Sequence, residues 1–203
     1  MSPFTVLHVC MGNICRSPMA ERLLALAVRE RLARRGVDVA DADGLLHSHS
    51  AGTGGWHAGE EMNPPAARQV LARGGEVAGF AARKLRSDLI DGADLVLTAT
   101  ADQHEYVLAL RPDAAARTFV LGEFGRLLAA VDATGLPTAE PTPDAVYARG
   151  VALVAAAHAA RQGASPLATD DLDDPWGRGD QCFSRIGDEI EETVHPLAAA
   201  LLP

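Results

Sequence analysis

A β-rich run, Phe4-Thr5-Val6-Leu7-His8-Val9, stops at Cys10-Met11-Gly12-Asn13-Ile14-Cys15-Arg16 and gives way to Ser17-Pro18-Met19-Ala20-Glu21. No other stretch narrows the fold as much. The run reads as a short buried strand. After the glycine-containing loop, Ser17 is expected as an N-cap, with Pro18 at the first helical position and Glu21 in the first turn. Leu24, Val28 and Leu32 then recur at a spacing of four along a helix that should end near Gly36. Strand, tight loop and helix together open an α/β domain.

The rest of the chain repeats the alternation. A second strand is expected over 45–51, closed by Gly52. Pro64 and Pro65 should start a helix that runs to about Arg73 and ends at Gly74-Gly75. A third strand fits 94–99, followed by a helix over 101–110. A fourth fits 118–121, with a helix from about Glu123. Such alternation argues for a parallel sheet with helices on both faces, in which ligands sit outside the carboxyl ends of the strands. The Cys10 loop is placed there. Residues 132–143, rich in Pro, Thr and Gly, read as an exposed connection. An alanine-rich helix is expected over 144–162, then an acidic loop over 163–180. A last helix carries Phe183, Ile186, Ile190, Val194 and Leu197 on one stripe, with a bend before Pro196. At 203 residues, one domain spanning 1–203 is the expectation.

Eighteen basic against 27 acidic residues leave a net charge of −9. Over most of its surface such a chain repels nucleic-acid phosphates and anionic membranes, so neither is an expected partner. An anion site must therefore be built locally, from backbone N–H groups and a few arginines. Three cysteines cannot make a secreted-type disulfide framework. Met1-Ser2-Pro3-Phe4 does not open like a signal peptide, and no stretch has the length of a membrane span. A reducing, cytoplasmic setting is the expectation.

Cys10-x5-Arg16-Ser17 between strand and helix carries the chemistry. A helix N-terminus favours an anion, here a thiolate. The intervening residues can curl so that successive N–H groups face one concavity, with Gly12 easing the curl. Arg16 can close the ring with a planar fork matched to two phosphate oxygens. What this lacks is a proton donor for a leaving oxygen. Asp170, Asp171, Asp173 and Asp174 lie in the late acidic loop. Asp174 is the best candidate, because Pro175 stiffens the chain beside it and Trp176 can wall the site. The other three are expected to form a solvated acidic face. His47 and His49 alternate on a strand without cysteine or carboxylate partners at ligand spacing, so no metal is expected. His57 and His104 are expected to cap or line loops.

Val9-Cys10-Met11-Gly12-Asn13-Ile14-Cys15-Arg16-Ser17-Pro18-Met19-Ala20-Glu21 resembles the signature of the low-molecular-weight protein-tyrosine phosphatases. Ser50-Ala51-Gly52-Thr53 with Trp56-His57-Ala58-Gly59, Asp94-Leu95-Val96-Leu97-Thr98 with His104, and Asp174-Pro175 match the family in order. The resemblance covers 1 to about 125 and 170–203. It implies a three-layer αβα fold of the phosphotyrosine phosphatase I type, with four parallel strands in the order 2-1-3-4. It implies Cys10 as nucleophile, Arg16 as phosphate clamp, Asp174 as general acid and then base, and no cofactor. Met11, Gly12, Asn13, Ile14, Cys15 and Ser17 would then surround the phosphate, with Ser17 bonded to the thiolate and Ser50 helping Asn13 to shape the loop. Ile14, Trp56 and Trp176 would line the entrance, and Cys15 could form a reversible disulfide with Cys10. The implied partner is a phosphorylated protein or small aryl phosphate, and phosphate or sulfate can occupy such a site.

The chain departs from the family pattern at three places. Phe80 stands where the family often has a histidine, Trp176-Gly177 where it often has tyrosines, and the stretch 126–169 is longer than usual, as an insertion would be. Alternatives of the same fold are a protein-arginine phosphatase, which typically carries Thr where Ile14 stands, and an arsenate reductase, which needs further cysteines. A module that binds phospho-residues without turning them over is the alternative outside enzymes.

Overall fold

The computed structural model describes residues 2–138 and 140–203; Ala139, within the expected 132–143 connection, and Met1 lie outside the described residues. Four parallel strands stand in the order β2-β1-β3-β4: β1 (Phe4–Cys10), β2 (Leu46–Gly52), β3 (Leu95–Thr98) and β4 (Thr118–Val120). In register, Phe4 meets Leu46 and Cys10 meets Gly52, while Val6 meets Leu95 and Val96 meets Thr118. Cys10 and Gly52 thus end side by side at the carboxyl edge.

The helices are α1 (Arg16–Arg34), α2 (Ala42–Leu45), α3 (Pro64–Ala72), α4 (Ser87–Asp91), α5 (Ala101–Leu110), α6 (Leu121–Leu128), α7 (Pro143–Arg161) and α8 (Gly179–Leu201). Strand side chains alternate between two faces. Phe4 and Val6 from β1, with Leu95 and Leu97 from β3, join a large core with α1, α6, α7 and α8. Leu7, Val9 and Val96 join a smaller one with Ile90 of α4 and Val107 of α5. Both faces are covered, which is why β1 reads as a run without polar alternation. Each large side chain so buried contributes on the order of 1.5–3 kcal/mol.

Several local expectations are corrected. α1 begins at Arg16, with Cys15 at the cap and no side-chain cap. Ser17 lies inside the helix because its hydroxyl is committed to Cys10, 3.0 Å away. Glu21 lies beyond the first turn and is buried. Leu45 belongs to α2 rather than to the strand. α2 and α4 span only four and five residues, too short to leave a helical period in the sequence. α8 continues through Pro196 to Leu201.

Within the segment 126–169, α7 packs on β1, α6, α8 and the 3₁₀ turn Pro112–Arg117. Gly150 permits the approach: a Cβ there would lie 2.5 Å from the Phe4 ring. Arg161 closes the other end, with Nε 2.9 Å from Glu123 Oε1 and its guanidinium 4.0 Å above the Phe119 ring. No helix among the described residues is long and apolar enough to cross a membrane.

Candidate active site

The loop after β2 is zipped onto the loop after β1. Thr53 N–H donates to Cys10 O and Gly54 N–H to Met11 O, both at 2.9 Å. Gly52 makes this approach possible, since a Cβ there would lie 2.7 Å from Met11 O and 3.0 Å from Asn13 N. Asn13 adopts φ 56°, the left-handed region that asparagine tolerates better than most residues. That turn brings its N–H to 3.3 Å from Cys10 Sγ.

The Asn13 side chain gives the loop a direction. Its Oδ1 accepts from Arg83 N–H at 2.8 Å, which fixes which end of the amide is oxygen. Nδ2 then donates to Ser17 Oγ (2.9 Å) and Ser50 Oγ (2.8 Å). With both oxygens accepting from Asn13, each hydroxyl has its own hydrogen to pass on. Ser50 donates to Glu21 Oε2 at 2.6 Å, and Ser17 points at Cys10 Sγ. A sulfur anion can only accept, so a thiolate at Cys10 would take the Ser17 hydrogen, whose other acceptor, Ala51 O, lies 3.5 Å away. Burial pushes the Glu21 carboxyl above its ordinary range, against the pull of Ser50 and Arg22. Phe80 lies beneath Arg22, whose guanidinium is 5.8 Å from the ring centroid.

Arg16 is 4% exposed. NH1 donates to Leu172 O at 2.9 Å, NH2 lies 3.4 Å from Asp174 Oδ2, and the buried Nε has no partner in the protein. An edge of one unpartnered and one loosely paired N–H is what an incoming oxyanion requires. Asp174 is half-exposed, and its Oδ1 accepts from Trp176 N–H at 3.1 Å.

Cys10, Arg16 and Asp174 line a single cavity of about 230 Å³. Met11, Ile14, Trp56 and Trp176 form its apolar walls, and Gly12, Cys15 and His57 complete it. Trp56 and Trp176 are 66% and 65% exposed, so their rings stand as a rim in solvent rather than as core. The Cys15 thiol is pushed up to about 12, by burial first and then by Cys10 and Asp174, and stays protonated at neutral pH. All three cysteines are free.

Cys10, Met11, Gly12, Ile14, Cys15, Arg16, Trp56, Asp174 and Trp176, all expected at the site, line this cavity. Asn13, Ser17 and Ser50 stand behind the loop and act through it. Four contributors were not singled out for the site: His57, whose Nδ1 is 2.8 Å from Glu60 Oε2; Glu21; Arg83; and Gly52. Glu21, Gly52 and His57 fall within the motifs quoted from the sequence, whereas Arg83 left no signal. Of the expected acidic face, Asp171 and Asp173 are exposed, and Asp170 is the correction. Asp170 is buried and held by Arg126 at 3.2 and 2.8 Å, because burial of a carboxylate demands a cation. Asp171 accepts from Ala101 N–H at 2.8 Å. Asp173 pairs with Arg185 at 2.7 Å, and that bond holds its carboxyl below the usual range.

A parallel sheet that offers a thiol, a loop amide turned toward it and an arginine at one strand end defines a class of cysteine-based oxyanion sites. The sequence model for low molecular weight phosphotyrosine protein phosphatases matches residues 5–133, and the chain belongs to that family. Asp174 and Trp176 lie outside the matched stretch. The low molecular weight protein-tyrosine-phosphatase YfkJ of Bacillus subtilis is 38% identical over 101 residues, 48% of this chain and 57% of the relative. A Streptomyces coelicolor low molecular weight protein-tyrosine-phosphatase is 38% identical over 109 residues, 54% of this chain and 60% of the relative. The matches thus span 57% and 60% of those relatives' length. Among solved structures, the tyrosine phosphatase Wzb from Escherichia coli K30 in complex with sulphate has a TM-score of 0.61 at 21% identity, over 97% of this chain and 96% of that one. The YwlE arginine phosphatase from Geobacillus stearothermophilus has a TM-score of 0.62 at 22% identity, over 97% and 92%. Both likenesses concern the fold alone.

Proposed function

We propose that the protein hydrolyses phosphotyrosine in proteins through a phosphocysteine intermediate, without metal or cofactor, in a reducing cytoplasmic setting. The observation that carries this reading is the convergence of Cys10 Sγ, the Arg16 edge and the Asp174 carboxyl on one cavity.

Phosphoryl transfer needs positioning and charge stabilisation more than covalent help. The loop amides and the Arg16 Nε and NH2 groups receive the equatorial oxygens. Cys10 thiolate, steadied by Ser17 Oγ, attacks phosphorus in line as the P–O bond breaks. The departing phenolate oxygen takes the proton of Asp174. Water then attacks the thiophosphate and gives its proton to Asp174. The P–S bond breaks, inorganic phosphate leaves and the thiolate returns. Met11, Ile14, Trp56 and Trp176 offer an aromatic ring apolar contact. A phosphorylated guanidinium would need acidic partners, and Asp174 is the one acidic lining residue among those described. That favours the aryl substrate over phosphoarginine. The segment 126–169 is read as an insertion within the same domain, and Cys15 as the neighbour able to trap an oxidised Cys10 as a disulfide.

The test is a substrate panel. Cys10→Ser should abolish turnover. Asp174→Ala should slow phenyl phosphate far more than p-nitrophenyl phosphate, because a better leaving group needs less help from an acid. Equal losses on both would remove Asp174 as the acid, and preferred turnover of phosphoarginine would overturn the substrate class.

A further inference from the structure

The loop that carries Asp174 is gripped by buried and backbone contacts at its stem, and at its tip by the buried Pro175 and by exposed ion pairs of Asp173. Asp170 is buried, clamped by Arg126, and accepts from Leu167 N–H at 2.7 Å. Its backbone lies against α6 at Gly122, where a Cβ would come within 2.5 Å of Asp170 O. Asp171 Oδ1 accepts from the N–H of Ala101, the first residue of α5. That amide has no partner within its own helix, and the helix end carries partial positive charge, so a carboxylate suits it. Leu172 N–H donates to Ala99 O at 2.9 Å, and Leu172 O accepts from Arg16 NH1. Three successive residues are thus tied to α6, to the β3–α5 junction and to α1. From Asp173 onward the side chains meet mainly exposed arginines, and Asp174 has only its 3.4 Å contact with Arg16 and the turn to Trp176.

We propose that Asp171 is a positioning residue: by capping the Ala101 amide it sets where the Asp174 carboxyl stands over the Cys10 loop. The inference rests on Asp174 being the general acid, as proposed above. Of the stem contacts this is the one to alter. Asp170 is buried and its carboxyl also holds Leu167 N–H, so removing it empties a packed position and unpairs the half-exposed Arg126, and the Leu172 contacts are backbone. Asp171 is exposed and its bond is a single crossing from loop to helix. Without it the stem keeps Leu172 as a pivot, and Asp174 swings about that pivot instead of standing still.

Proton donation is sensitive to such displacement, and the sensitivity grows as the leaving group worsens. In Asp171→Ala, kcat for phenyl phosphate should fall about tenfold and for p-nitrophenyl phosphate less than about threefold, with each KM within about twofold. Asp171→Asn retains an oxygen acceptor and should recover most of the loss. In an Asp174→Ala background Asp171→Ala should change nothing further. Equal slowing of both esters, an unchanged Asp171→Ala enzyme, or a further selective loss in the Asp174→Ala background would each overturn the positioning role while leaving the acid in place. If Asp174→Ala itself shows no leaving-group selectivity, the acid reading fails and takes the positioning role with it.

Discussion

His8 offers a quantitative test of the packing beneath the site. It is 1% exposed in the middle of β1, with Nε2 3.2 Å from Ser48 Oγ and Nδ1 without a partner. Burial, and then the nearby His49, lower its pKa from 6.5 to about 3. An unfolded chain therefore binds a proton here that the native state refuses, between those two values. The stability associated with neutral His8 is complete above the unfolded value and is lost as pH falls toward the folded one. Between about pH 7.5 and about pH 5 the unfolded imidazole becomes almost fully protonated while the native one does not, a loss of about 2 kcal/mol. With a urea dependence of about 2 kcal/mol per molar, this is a fall of about 1 M in the unfolding midpoint. His49, lowered to about 4, and His104 add to the acid sensitivity of any variant, so the comparison must isolate His8. His8→Gln keeps an amide for Ser48 and cannot titrate. Urea unfolding at both pH values should show the variant losing about 2 kcal/mol less than wild type on acidification. Parallel pH curves for the two proteins would refute the reasoning, whatever their absolute stabilities.

Two further outcomes follow from close contacts. Gly52→Ala drives a methyl into Met11 O and the Asn13 amide, so kcat/KM for p-nitrophenyl phosphate should fall at least about tenfold, with about 1–3 kcal/mol lost in stability. A variant of normal activity would mean that the loop has room to yield. Arg161→Ala strips the cation from Glu123, itself 1% exposed, and should cost about 3–5 kcal/mol in denaturant unfolding. Arg161→Met combined with Glu123→Gln should be milder than Arg161→Ala alone.

How much of this was legible depended on how local each device is. Cys10, Arg16 and the residues between them fall on one turn, so their spacing declared the loop before any coordinates. Asp174 stands apart from the other three carboxylates by its neighbours Pro175 and Trp176, and it is the one of the four that lines the cavity. The β–α alternation fixed the sheet, whereas α2 and α4 are shorter than the period that would reveal them. The failures are tertiary. Glu21 reads as an acid in a helix's first turn until Ser50, 29 positions on, is found bonded to it. Asp170 reads as solvated charge because its partner Arg126 lies 44 positions earlier, and the bond from the exposed Asp171 to Ala101, 70 positions earlier, leaves no local trace. Ser17 fits an N-cap pattern as well as it fits a thiolate donor, and only the position of Cys10 separates the two.

The proposed nucleophile and the proposed acid are held in opposite ways, and Arg16 is the part common to both. Behind the sulfur, Asn13 satisfies every polar atom of its side chain, through the buried Ser17 and Ser50 and the backbone of Arg83, which holds the loop in one arrangement. Ahead of it, Asp174 meets Arg16 through a half-exposed contact of a kind worth about 0–1 kcal/mol, which a phosphate dianion can displace. The Arg16 NH1 bond to Leu172 O involves a different nitrogen and need not break when that happens. An arriving phosphate can therefore take the free edge of the guanidinium and release the carboxyl of Asp174 toward the leaving oxygen, while the stem of its loop stays fastened to the same arginine.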